Sequence, residues 1–119
     1  MDKPPSWEYY FHPPTEAEWR QLEFLCQLAG VPSDALDELA VADMNDGGMG
    51  SLRLAPSGVD TPARRMSRQG AEFEYADDDG VLVQVSLNLD EQGQLFELDS
   101  WKVDFKPLIN RRVPGEGER

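Results

Sequence analysis

Glu97, Asp99 and Asp104, three carboxylates within eight residues, are the side chains whose types could do hydrolytic or metal-assisted work. Such chemistry needs one carboxyl to give a proton and a second to attack or to activate water, at a fixed separation. Residues in a strand alternate faces, so the sequence alone leaves the mutual geometry of these three open. Gly47-Gly48-Met49-Gly50-Ser51 could cradle a phosphate on exposed backbone N–H groups. No lysine follows it and the next segment reads as a strand, so a helix-to-strand turn that needs positive φ explains the glycines more simply. Asn88, Asp90, Gln92, Gly93 and Asp99 fall at positions 1, 3, 5, 6 and 12 of a calcium-loop spacing, with Leu95 at 8. Position 1 should be Asp, position 12 should be a bidentate Glu and the flanks should be helical, and none of these conditions is met. Asp77-Asp78-Asp79 reads as a solvated hairpin tip. The single histidine, His12, stands between Phe11 and Pro13 with no serine or cysteine partner in reach of a pattern, and the single cysteine, Cys26, lies on the apolar stripe of a helix. These residues define no catalytic group, no cofactor and no metal site; the carboxylates Glu97, Asp99 and Asp104 stand as an alternative acidic site.

The elements that must carry these groups follow from the pattern. The chain has 119 residues with 23 acids against 11 basic side chains, a net charge of −12, which suits one acidic domain. One cysteine excludes an internal disulfide and a cysteine-built metal cluster. No apolar run approaches the roughly 20 residues of a membrane span, and the start Met-Asp-Lys-Pro-Pro lacks the basic and apolar regions of a signal peptide, so a cytoplasmic location is expected. Residues 1–14 hold Pro4, Pro5, Pro13 and Pro14 around Trp7, Tyr9, Tyr10 and Phe11, an extended arm that packs on the domain or docks on a partner. Thr15-Glu16-Ala17-Glu18 fits a capping box, Trp19, Leu22, Leu25, Cys26 and Ala29 form a stripe, and Gly30 supplies a left-handed end, which predicts a helix over 16–29. Ser33 caps a second helical pattern in which Leu36, Leu39, Ala40 and Met44 share a face.

Residues 51–55 read as a short strand, and 56–70 as a long loop bearing Arg64, Arg65 and Arg68, for which the sequence gives no role. Phe73 and Tyr75 alternate with Glu72 and Glu74. Asp79-Gly80 marks a hairpin, and Val81, Val83, Val85, Leu87 and Leu89 keep a strict period of two. In the last strand Phe96 and Leu98 have one parity and Trp101, Val103 and Phe105 the other, which predicts a bulge near Asp99-Ser100 and places Trp101 in the core. The order of elements predicts an α+β fold of two layers: an N-terminal helical hairpin packed on a three- to four-stranded antiparallel sheet, with a single domain over 15–109 and a flexible tail over 110–119.

Two segments, Asp46-Gly47-Gly48-Met49-Gly50-Ser51-Leu52-Arg53 and Leu95-Phe96-Glu97-Leu98-Asp99-Ser100-Trp101-Lys102-Val103-Asp104-Phe105-Lys106-Pro107-Leu108, resemble the hallmarks of a small bacterial family, a domain of unknown function of about this length. The likeness runs more loosely over residues 15–109 and leaves the aromatic arm outside it. It implies no catalytic residue. In style, as a small acidic α+β protein, the chain also resembles immunity proteins, which neutralise bacterial toxins by covering an often basic active site.

Charge carries the functional expectation. Residues 71–104 hold ten acids against Lys102 alone, three quarters of the net charge. Such a field repels nucleic acid and anionic membrane and speeds the encounter with a basic protein partner. The expected function is therefore a protein-binding module, with Glu72, Glu74, Asp77, Asp78 and Asp79 as the partner-binding candidates. A small hydrolase or metal-dependent enzyme is the alternative. The sequence does not set the oligomeric state.

Overall fold

The computed structural model describes residues 10–115. Trp7 and Tyr9 of the aromatic arm, and the last four residues of the tail, lie outside them. Helix α1 spans Glu16–Ala29, and its start and stop are the ones the sequence dictates. Thr15 Oγ1 accepts the Glu18 N–H while Glu18 Oε1 accepts the Thr15 N–H, and Gly30 closes the helix at φ 74°. Leu22, Leu25 and Cys26 are buried along its inner face, whereas Trp19 is exposed.

Five strands follow: β1 (Ala40–Asp43), β2 (Leu52–Ala55), β3 (Met66–Ala76), β4 (Leu82–Asp90) and β5 (Leu95–Lys102). They form one antiparallel sheet in the order β1-β2-β5-β4-β3. The expected helical hairpin on a smaller sheet is thereby corrected: the described fold is mostly β, with one α-helix against five strands. Where the second helix was expected, Ser33–Leu36 make a single 3-10 turn, Glu38 takes φ 58°, and the chain runs straight into β1. A helical pattern of some ten residues is too short to hold itself in water. A left-handed residue in its middle ends it, and pairing of Ala40–Asp43 with Ala55–Leu52 satisfies the same backbone groups.

One face of the sheet is covered. Val83, Val85, Leu87 and Leu89 of β4, Phe73 and Tyr75 of β3, and Leu98 of β5 point toward α1 and are buried against Leu22, Leu25 and Cys26. Burial pushes the Cys26 thiol up to about 11, helped by Glu23, so it is an inert core group at neutral pH. The end of α1 comes so close to β3 that a Cβ on Gly70 would stand 3.3 Å from both Ala29 Cβ and Leu89 Cδ1. Gly70 is also the extra residue of a β3 bulge, since Gln69 pairs with Asn88 and Ala71 with Leu87. Residues 107–113 run over the same face: Leu108 and Val113 pack on the core, Tyr75 Oη donates to the Asn110 carbonyl (2.9 Å), and Gln21 Nε2 donates to the Arg112 carbonyl (2.9 Å).

The β5 bulge lies at Phe96 and not near Asp99-Ser100. Asn88 pairs with Glu97 and Leu89 with Leu95, leaving Phe96 as the extra residue. From Glu97 onward the alternation is unbroken, so Leu98, Ser100 and Lys102 face inward and Trp101 faces outward with 39% of its surface exposed. The placement of Trp101 in the core is corrected accordingly.

Candidate functional site

The register places side chains of the second face, which loop 56–65 covers at β2 and leaves open over β3 and β4, in rows. Glu74, Gln84 and Trp101 lie side by side across β3, β4 and β5, and Glu72, Ser86 and Asp99 form the next row. Gln84 Nε2 donates to Glu74 Oε2 (2.9 Å), and the Phe105 ring sits 6.0 Å from that of Trp101. Glu72, Glu74, Asp99, Trp101 and Phe105 are all exposed. This face thus carries an aromatic pair beside three carboxylates.

Of Asp77, Asp78 and Asp79, expected as a solvated tip, Asp77 is drawn into the protein while Asp78 and Asp79 stay exposed and bond inward from the surface. Asp77 is 4% exposed and accepts the N–H groups of Ile109 (2.8 Å), Asn110 (3.0 Å) and Asp78 (2.8 Å). The fully buried ammonium of Lys102 donates to Asp77 (2.9 Å), Asp79 (2.8 Å) and the Pro107 carbonyl (3.3 Å). Burial works to lift the Asp77 carboxyl, but these donors outweigh it and hold Asp77 below the ordinary aspartate value. Lys102 shows the mirror effect: desolvation works to lower it, and the bonds to Asp79 and Asp77 keep it above the usual lysine value. Asp78 pairs with Arg112 (2.7 Å) and accepts from the Asn110 side chain, and both hold it low. The acid triplet thus fastens residues 107–112 to the β3–β4 hairpin.

A second ionic group joins loop 56–65 to the sheet. Arg53, on the outer face of β2, bonds Asp60 through Nε (3.2 Å to Oδ2) and Nη2 (3.3 Å to Oδ1) and reaches Glu97 through Nη1 (3.0 Å). Arg64 bonds Asp60 (3.0 Å), Asp90 (3.1 Å) and the backbone carbonyls of Leu54 and Leu95. The bulge turns the Phe96 ring under both guanidinium groups, 4.0 Å from that of Arg53 and 5.2 Å from that of Arg64. The long arginine-bearing loop therefore has a structural role at Arg64, while Arg65 and Arg68 are exposed. Sequence reasoning missed this group because its members stand 4 to 44 residues apart. The available signal was a bare Arg in a short strand, Arg53, between Leu52 and Leu54.

Of the alternative acids, Glu97 and Asp99 share the outer face, but Asp104 lies past the end of β5 in a turn, where its carboxylate accepts the Lys106 N–H (3.0 Å). Burial raises the Glu97 carboxyl against the pull of Arg53. Asp99 accepts from Ser51 Oγ at 3.2 Å. Asp90, at position 3 of the calcium-like spacing, is spent on the N–H groups of Gln92 and Gln94 (2.9 Å each) and on Arg64.

The glycine segment is a turn with a defined task. Asp46 accepts the N–H groups of Met49 (3.1 Å) and Ser51 (2.9 Å), and the Gly48 carbonyl accepts the Leu108 N–H (2.9 Å). Gly50 has φ 99°, and a Cβ there would meet Leu108 Cδ2 at 2.9 Å. Its carbonyl takes the Arg111 guanidinium at 2.8 Å. Between this turn, the start of α1 and residues 108–111 lies an open cleft of about 390 Å³.

Among the described residues no helix is long and apolar enough to cross a membrane. A five-stranded antiparallel sheet with one face under a single helix and the other bare over β3, β4 and the end of β5, though covered at β2 by loop 56–65, defines the class: a small, mostly β domain. The chain belongs to the domain of unknown function DUF6984, whose family model matches residues 11–112. The match takes in every strand, α1 and the docked segment up to Arg112. No curated protein and no solved structure matches the chain.

Proposed function

We propose that this domain is a protein-binding module that docks a basic protein on the bare face of its sheet. The observation that carries the reading is the Glu74–Gln84–Trp101 row: an exposed indole, backed by Phe105, lies beside Glu72, Glu74 and Asp99 on a flat, regular surface. Exposed Trp is the residue type that most often anchors an interface, and a rim of one charge steers the encounter. Of the five candidates read from the sequence, Glu72 and Glu74 belong to this surface. Asp77 and Asp79 hold Lys102, so their charge is partly neutralised before a partner arrives. The finer form of the proposal is an immunity protein, in which the acidic face covers the basic active site of a toxin.

The test uses the full chain against a partner captured from its native cell and then purified. The double variant Glu72→Gln/Glu74→Gln should slow association several-fold and flatten its salt dependence, since rim charges act on the on-rate and are screened beyond about 8 Å at physiological salt. Trp101→Ala should act instead on dissociation. A partner whose association and dissociation ignore all three substitutions would remove the bare face from the function.

A further inference from the structure

Three elements bring one nitrogen and two carboxylate ligands together beside the glycine turn. His12 pairs with Val41 through two backbone bonds (2.8 Å each), which lays the end of the arm along the free edge of β1. Glu18 is fixed in the first turn of α1 by the capping box. Asp43 ends β1, two residues beyond Val41. One ligand atom from each of His12, Glu18 and Asp43 lies within 4.8 Å of the other two.

The chemistry of the three is uniform. His12 Nδ1 stands 2.7 Å from the Pro13 carbonyl, an acceptor only, so Nδ1 carries the hydrogen and donates it. With Nδ1 engaged by that carbonyl, Nε2 is the ring nitrogen left to a ligand, and a metal-binding histidine is oriented by this kind of carbonyl contact on its other nitrogen. Glu18 is 6% exposed, and one of its oxygens accepts the Thr15 N–H. The nearest cation to its other oxygen is Arg111 at 3.8 Å, and that guanidinium has closer acceptors in the Gly50 carbonyl (2.8 Å) and Gln21 Oε1 (3.2 Å). Among the described residues, the Asp43 carboxylate forms no ion pair and accepts no hydrogen bond, the residue's pairing with Leu52 being through the backbone ladder. Two carboxylates thus converge on one imidazole with Arg111 at 3.8 Å from Glu18 as the one cation beside them, and like charges this close favour a further cation between them.

We infer that His12, Glu18 and Asp43 form a site for a zinc-class divalent metal ion, bound by one imidazole and two carboxylates. Ligands held about 2.0–2.2 Å from one metal ion stand roughly 3.5 Å apart, a spacing that the 4.8 Å limit on these atoms admits. Half-buried His12 and buried Glu18 close the inner side. Asp43 is exposed and lines the open cleft with Thr15, Ala17 and Arg111, so water completes the coordination from that direction. The mixed nitrogen and oxygen set favours zinc, cobalt or manganese over calcium and magnesium, which take oxygen alone. The metal would also tie the arm at His12 to α1 and β1.

The experiment titrates the full, metal-free chain with Co²⁺ and Zn²⁺ by calorimetry and follows the cobalt absorption bands. One ion per chain is expected, with His12→Ala and Asp43→Asn each weakening binding by at least about 30-fold while circular dichroism in chelator stays unchanged. In the unsubstituted chain, zinc should shift the His12 Nε2 resonance in nitrogen NMR, a readout that needs no variant to fold. Binding that ignores both substitutions, a silent Nε2 resonance, or Mg²⁺ and Ca²⁺ binding as tightly as Co²⁺ would overturn the assignment.

Discussion

The two buried ionic groups solve the same problem with different chemistry. At one end of the sheet, Arg53 and Arg64 share Asp60 and reach Glu97 and Asp90 through rigid forks stacked on Phe96. At the other, Lys102 is a point charge between Asp77 and Asp79. At the centre of the arginine group, among the described residues, the Asp60 carboxylate accepts from the two guanidinium groups alone. The lysine group leans on the backbone, because Asp77 also accepts three main-chain N–H groups. Removing a partner should therefore cost far more at the first than at the second. Both groups spend acidic residues inside the molecule, so net charge overstates what a partner would meet.

The sharpest way to break this comparison is Asp60→Ala, which strands two buried arginines. It should cost about 3–5 kcal/mol and lower Tm by roughly 10–20 °C, read by chemical and thermal unfolding. A loss no greater than that of a surface substitution would show that Glu97, Asp90 and the carbonyls of Leu54 and Leu95 suffice.

Lys102→Met should be milder in Tm and specific in place: trypsin should gain access to Arg111 and Arg112 as residues 107–112 loosen. Acid sharpens the same point. Asp77, Asp78, Asp79 and Asp90 all titrate below their usual value of 3.8 in the folded chain. The stability they lend is complete above the unfolded carboxyl pKa, near pH 4, and drains away as pH falls through their lowered folded values. Glu97, raised by burial, works in the opposite sense and gains slightly on protonation. Stability should therefore fall below about pH 4, and less steeply in Lys102→Met, where Asp77 and Asp79 have lost the ammonium that holds them down. An identical acid limb in both proteins would detach Lys102 from the effect.

The smallest change should come from Trp101→Ala, one residue from Lys102 but on the bare face. It should lower stability by less than about 1 kcal/mol, well short of the roughly 3–5 kcal/mol that a buried tryptophan would cost. A larger loss would mean that the Trp101–Phe105 pair supports the turn after β5.

Local signals in the sequence were faithful wherever one short stretch decides the structure. Thr15 with Glu18 and Gly30 bound α1 to the residue, and the alternation from Val81 to Leu89 gave β4 and its buried side. The failures share a cause. Leu36, Leu39, Ala40 and Met44 fit a helix by spacing, yet the backbone partner that makes Ala40–Asp43 a strand is β2, and no local pattern announces it. Parity with Val103 and Phe105 and a bulge near Asp99-Ser100 put Trp101 in the core, but the bulge lies at Phe96, sets the parity of everything after it, and lays Phe96 under Arg53 and Arg64. Acids were read as surface because the lysine and arginines that neutralise them are distant in the chain. The same distance hid His12, Glu18 and Asp43 from any spacing rule.

The place of β5 between β2 and β4 gives the molecule an order in time. During synthesis β1 and β2 emerge first, and they meet each other, but the ladder that joins them to the rest needs Glu97 and Leu98 to pair with Arg53 and Leu52. Until those residues leave the ribosome, the β1–β2 pair is a two-stranded ribbon, and such a ribbon is barely stable in water. The β3–β4 hairpin can form in the meantime, so the nascent chain carries two unjoined halves with open edges. Closure waits for the last strand and then for the docking of residues 107–112 behind it. A ribosome stalled before residue 98 would therefore expose, on each chain, two strand edges ready to pair with a neighbour.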